Sequence, residues 1–184
     1  MANKILRYHM EPEGKGLGAC ACFMGLAFFL RVMFYFGFTR TESVGFGILL
    51  VMLVVPMVLE AVFMILLRGM KLDAPGLYGI LVAVYCVLLI FQALQYDGLL
   101  RMILAIIGYL VCGGIFMAVT AGLLSRDISM MLFFVTAVVR LLFVLRPYIL
   151  AGRLIAFLPE AAGLCAVVAM GCLACGLKPV EGRK

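Results

Sequence analysis

Apolar residues in this chain come in long unbroken runs, and the polar residues collect in short clusters between them. Six runs stand out, at residues 17–38, 44–67, 76–95, 99–124, 128–145 and 154–177. A hydrocarbon core of about 30 Å is crossed by about 20 helical residues, so each run is long enough, or nearly so, to span a bilayer. The interruptions carry charge or turn residues: Thr39 to Ser43 around Arg40, Arg68 to Pro75 with Asp73, Tyr96-Asp97-Gly98, Ser125-Arg126-Asp127, and Arg146-Pro147. A helix satisfies its own backbone groups, which hydrocarbon cannot do. The period-two alternation of a membrane β-barrel is absent. The expected fold is therefore all-α: one polytopic domain over residues 1–184, with six transmembrane helices.

Composition strengthens this reading. Hydrophobic residues make up 67% of the 184 positions and charged residues 13%, against about 45–50% and about 25% in soluble domains. All seven cysteines (Cys20, Cys22, Cys86, Cys112, Cys165, Cys172, Cys175) fall inside apolar runs, where a thiol packs as a small hydrophobe. The formal charge of +6 is spread over connectors and helix ends. It forms no nucleic-acid patch and serves orientation instead. With the N-terminus inside, Lys4, Arg7, Lys15, Arg68, Lys71, Arg126, Lys178, Arg183 and Lys184 are cytoplasmic, and Arg40, Arg101, Arg146 and Arg153 are external. Nine against four favours both ends in the cytoplasm of a plasma membrane or bacterial inner membrane. The first run follows basic residues as a signal peptide would, but it is too long for one and no small-residue cleavage site follows. It is expected to be retained.

Ionisable side chains within the runs are the candidates for chemistry, since each costs about 2.5–3.5 kcal/mol to insert even on the lenient scale. There are four: Arg31, Glu60, Arg140 and Glu160. Counting from the run ends at about 1.5 Å per residue places Arg31, Arg140 and Glu160 at one level, roughly 10 Å below the outer surface. Gln92 and Gln95 reach a similar depth, and Arg101, Arg146 and Arg153 form the rim. These residues predict a net-positive pocket open to the outside that binds an anionic or amide-rich solute, because arginine's planar fork suits a carboxylate or phosphate. The alternative is that the arginines snorkel or pair with Glu160 to hold helices together. Glu60 counts to the inner third, four residues after Pro56. It is expected as a proton or cation site, as a protonated, hydrogen-bonded carboxyl facing Thr120 or Thr136, or as one half of a structural pair.

Small residues recur at four-residue spacing: Ala21 and Gly25; Gly114, Ala118 and Gly122; Ala161, Cys165 and Ala169. Such rows allow close helix approach, within the bundle or against a partner subunit. The segment from Leu30 to Phe34 around Arg31 is echoed by Val139 to Phe143 around Arg140, each followed by a run containing proline and glutamate. Internal repeats of this kind occur in transporters.

Catalytic signatures are missing. The only histidine is His9, in the N-terminal tail, which excludes histidine-based metal sites and triads within one chain. Cys172 and Cys175 have C-x-x-C spacing but lie on an apolar run without further ligands. No phosphate loop, nucleophile elbow or zinc-protease motif is present. Enzyme activity is the least supported class, and no cofactor or metal is expected.

Length, six helices, cytoplasmic ends, basic character and the small-residue stretch Ala21-Cys22-Phe23-Met24-Gly25 together resemble the substrate-binding S-components of energy-coupling-factor transporters. The resemblance spans the whole chain and is architectural. It implies that the first helix contacts a coupling subunit, that a solute site opens outward, and that energy comes from that partner. The leading expectation is solute binding and uptake by Arg31, Gln92, Gln95, Arg140 and Glu160. The other expectation is a non-catalytic accessory or scaffold subunit.

Overall fold

The computed structural model describes residues 7–10, 14–38, 54–67, 74–94 and 98–180. The described chain is helical apart from one short strand pair. In order it forms strand β1 (Tyr8–Met10), helix α1 (Lys15–Phe38), α2 (Val55–Ile65), α3 (Pro75–Ala93), α4 (Leu99–Thr120), α5 (Arg126–Arg140), a π-helical turn (Leu141–Leu145), α6 (Arg146–Leu150), α7 (Leu154–Cys175) and strand β2 (Leu177–Pro179). Five helical rods are long and apolar enough to cross a membrane, one of them running unbroken from Arg126 to Leu150. The second predicted run is described only from Val54, so residues 44–53 lie outside the described residues, as do Arg40, Gln95 and Asp97.

The faces of these rods are inverted relative to a soluble protein. Large apolar side chains such as Phe29, Phe36, Ile80, Phe91, Leu110, Phe134 and Phe143 point outward, while Arg31, Glu60, Arg140 and Glu160 are buried. An outer surface this continuously apolar has no counterpart on soluble monomers and matches contact with lipid. Inside, α7 is the central rod, packing against both α1 and α5, while α3 pairs with α4 and α2 leans on α1. Cys20, Met24, Phe63, Leu89, Phe116, Val167, Met170 and Leu173 fill the space between them. None of the seven cysteines forms a disulfide.

Two boundaries differ from those the runs predict. The fifth helix does not stop at Arg146-Pro147. Proline has no N–H to give the helical ladder, and the backbone accommodates it by widening into a π turn just upstream, where the Arg146 N–H reaches back to the Leu141 carbonyl. The rod thus continues to Leu150, and Arg146 is helical rather than in a loop. The fourth helix ends at Thr120, four residues early, because Gly122 adopts φ +74°. The Gly122 N–H bonds Val119 and the Leu123 N–H bonds Ala118, the paired pattern of a Schellman cap that glycine makes without strain. Gly122 is therefore a cap and not the third member of a helix face.

The strand pair was not anticipated. β1 and β2 are antiparallel, with Tyr8 opposite Pro179 and His9 opposite Lys178. The Tyr8 hydroxyl also accepts the backbone N–H of Arg126 at 3.2 Å. Both tails are thereby clasped at one end of the bundle, beside the start of α5.

Candidate functional site

Four polar side chains from three helices meet in the interior. Arg31 on α1 donates from Nε to Glu60 Oε1 on α2 at 2.8 Å and from Nη1 to Gln92 Oε1 on α3 at 2.7 Å. The hydroxyl of Tyr85, two turns before Gln92, donates to the same Glu60 oxygen. Arg31 and Glu60 are wholly buried, and Gln92 is nearly so. Two atoms of this cluster have no hydrogen-bond partner, Arg31 Nη2 and Glu60 Oε2.

A second pair lies in the same half of the bundle, away from the clasped termini. Arg140, the last residue of α5, donates from Nη2 to Glu160 Oε2 on α7 at 3.2 Å, and its guanidinium stacks 4.3 Å from the centre of the Tyr109 ring. Cation–π stacking of this kind adds about 2 kcal/mol when desolvated. Room for it comes from Gly163: a Cβ there would collide with the Tyr109 hydroxyl and Arg140 Nη2. A recess of about 20 Å³, lined by Leu104, Gly108, Thr136, Val139, Arg140 and Val144, opens on the α4 side of this arginine. That is the space of roughly one water molecule. Nearer the rim, Arg101 lies 5.0 Å over the ring of Tyr148, whereas Arg146 and Arg153 are exposed.

Measured against the residues singled out in the sequence, the structure brings Arg31 to Gln92 and Arg140 to Glu160, and the expected pairing of Glu160 with an arginine holds. The counted depth of Glu60 is corrected: it lies level with Arg31 and forms a pair with it, one of the roles open to it, and it faces neither Thr120 nor Thr136, whose hydroxyls bond the Met117 and Leu132 carbonyls. Hydropathy cannot say where a helix begins inside a uniformly apolar stretch, so a depth counted from Val44 carried no information about packing. With each arginine matched to a glutamate, the four buried charges sum to zero, which leaves the positive charge expected of an outer pocket to Arg101, Arg146 and Arg153. The motif repeat acquires a structural meaning: in each copy the arginine pairs with the glutamate of the helical run that follows it.

Tyr85 and Tyr109, which hold Glu60 and Arg140, are not among the residues that the sequence singles out. The available signal was a phenol in mid-run, since a buried hydroxyl needs a polar partner. Among the small-residue rows, Ala21 and Ala169 are buried between packed helices and Gly25 faces Met64 of α2. Ala161 is buried beside Leu145, and Cys165 is half-buried. Gly114 instead opens onto free space, with Ala118 half-exposed beside it. Among the described residues no group of histidine, cysteine or carboxylate side chains is arranged to hold a metal. Comparison of the chain with family models, curated protein sequences and solved structures gave no match.

Proposed function

We propose that the chain is a multi-pass protein of the plasma or bacterial inner membrane, with six spans and both ends in the cytoplasm, that binds a small polar solute in its buried polar core and takes it up. The clasp of β1 with β2 supports the placement of both ends on one side, and the lysine and arginine distribution supports that side being cytoplasmic. The observation that carries the solute reading is the incomplete satisfaction of the Arg31 and Glu60 pair. A pair kept only to hold helices together gains nothing from a buried donor and acceptor left unmatched, each costing about 1–3 kcal/mol. On this reading Arg31, Glu60 and Gln92 contact the solute, and Arg140 and Glu160 shape the neighbouring wall. As in the S-components that the architecture resembles, a separate partner supplies the energy.

The test is ligand-dependent melting of the purified protein in detergent, screened over small polar solutes for wild type, Arg31→Gln and Arg140→Lys. Stabilisation of wild type that is lost in Arg31→Gln supports binding at the core. Stabilisation by no solute, with both variants merely melting earlier, overturns it.

That second outcome is the signature of the other reading, a non-catalytic accessory or scaffold subunit. Its support is that both arginines find their counter-charges within the chain, as a self-contained helix clamp requires. The outward Gly114 and Ala118 would then offer a partner helix a close approach.

A further inference from the structure

The covalent geometry of arginine sharpens the contact between Arg31 and Glu60. In a guanidinium the Nε–H and one Nη2–H point the same way, forming the fork that normally grips both oxygens of a carboxylate. Here only one arm is closed, Nε to Oε1 at 2.8 Å. The atoms that would close the other, Arg31 Nη2 and Glu60 Oε2, are both buried and both without a hydrogen-bond partner. Bonding within each side chain ties these two atoms to the closed arm, so one small group reaching the split fork would meet a donor and an acceptor together. The remaining fork positions are committed, Nη1 to Gln92 and Oε1 to Tyr85 as well as to Nε.

We infer that the split fork recognises a neutral carboxamide, whose carbonyl oxygen accepts from Arg31 Nη2 while its NH₂ donates to Glu60 Oε2. The assignment rests on the solute-binding reading and narrows it. A carboxylate could accept from Nη2, but it would set a second anion against Oε2 with no proton between them, in a low-dielectric core where like charges repel strongly. The neighbouring pair adds no attraction for an anion, since Arg140 is matched by Glu160 at 3.2 Å. A cation meets the reverse problem at Nη2. Only a group offering both an acceptor and a donor satisfies both atoms without adding charge, and among common solute groups the primary amide does so in one plane.

The experiment compares matched pairs, propionamide with propionate and benzamide with benzoate, by calorimetry and melting temperature on the full chain in detergent at neutral pH. Wild type is expected to bind the amide of each pair and the carboxylate at least about tenfold more weakly, the scale of one hydrogen bond to a charged group. Glu60→Gln removes the anion and is expected to reverse the preference towards the carboxylate. Arg31→Lys keeps the positive charge but lacks Nη2, and is expected to lose amide binding even if Glu60→Gln does not fold. A carboxylate preference in wild type overturns the carboxamide assignment and leaves solute binding standing. Amide binding unchanged in Arg31→Lys moves the ligand away from the fork and overturns the site. Binding of no member of either pair overturns the carboxamide assignment, while the solute-binding reading is overturned only if the wider screen of polar solutes also stabilises nothing.

Discussion

Arg31 Nε lies 2.8 Å from Glu60 Oε1, although 29 residues separate the two in the chain and neither exposes any surface. Withdrawing both ions from water costs several kcal/mol each, a cost that their mutual attraction offsets only while both are present. The contact joins α1 to α2, and Gln92 extends it to α3.

Removing one partner should therefore be worse than removing both. Arg31→Gln and Glu60→Gln are each expected to lower stability by about 3–5 kcal/mol, and the double variant Arg31→Met with Glu60→Leu by less than either. Equilibrium unfolding in detergent, arranged as a double-mutant cycle, measures this. Single losses that simply add in the double variant would show that the two residues do not depend on one another.

Gly163 and Gly114 make a matched pair of substitutions. Gly163→Ala puts a methyl group into the Tyr109 hydroxyl and Arg140, while Gly114→Ala meets nothing within 4 Å. The first is expected to cost about 1–3 kcal/mol as overpacking; the second should leave the isolated chain unchanged. Equal melting temperatures for the two variants would contradict the close approach of α7 to Arg140.

The clasp at the termini predicts a cross-link. His9 and Lys178 are directly opposed in the antiparallel pair, within the separation a disulfide can bridge. In a cysteine-free background, His9→Cys with Lys178→Cys should oxidise to an intramolecular bond seen as a mobility shift on non-reducing gels. Pairing of cysteines at these positions only between molecules would argue that the tails do not meet within one chain.

The proposed sidedness, with both ends in the cytoplasm, predicts a labelling pattern. Single cysteines replacing Lys4 and Arg183 should react with an impermeant maleimide only after the membrane is opened, and cysteines replacing Asp97 and Ala151 should react in intact cells. Labelling of either terminal position from outside would reverse the orientation, and with it the direction of uptake.

Much of this molecule is legible in its residues, and the division has a physical cause. Apolar stretches such as Gly76 to Gln95 and Leu99 to Leu124 have one economical arrangement in hydrocarbon, so helical class, the rod positions and the four costly ionisable residues follow from composition along the chain. Glycine and proline mark the turns for local reasons, and Gly98 falls where the fourth rod begins. What the chain does not carry locally is the sliding and rotation of one rod against another. A run apolar on every side permits many registers, and packing of α1 against α2 and α7 selects the one that seats Arg31 beside Glu60. The same holds for Tyr85 and Tyr109 and for the strands at Tyr8–Met10 and Leu177–Pro179. Each exists only because a distant segment supplies its partner. The residue types decided that charges would be buried; the tertiary structure decided that they cancel, because pairing depends on distances that only the packed bundle sets.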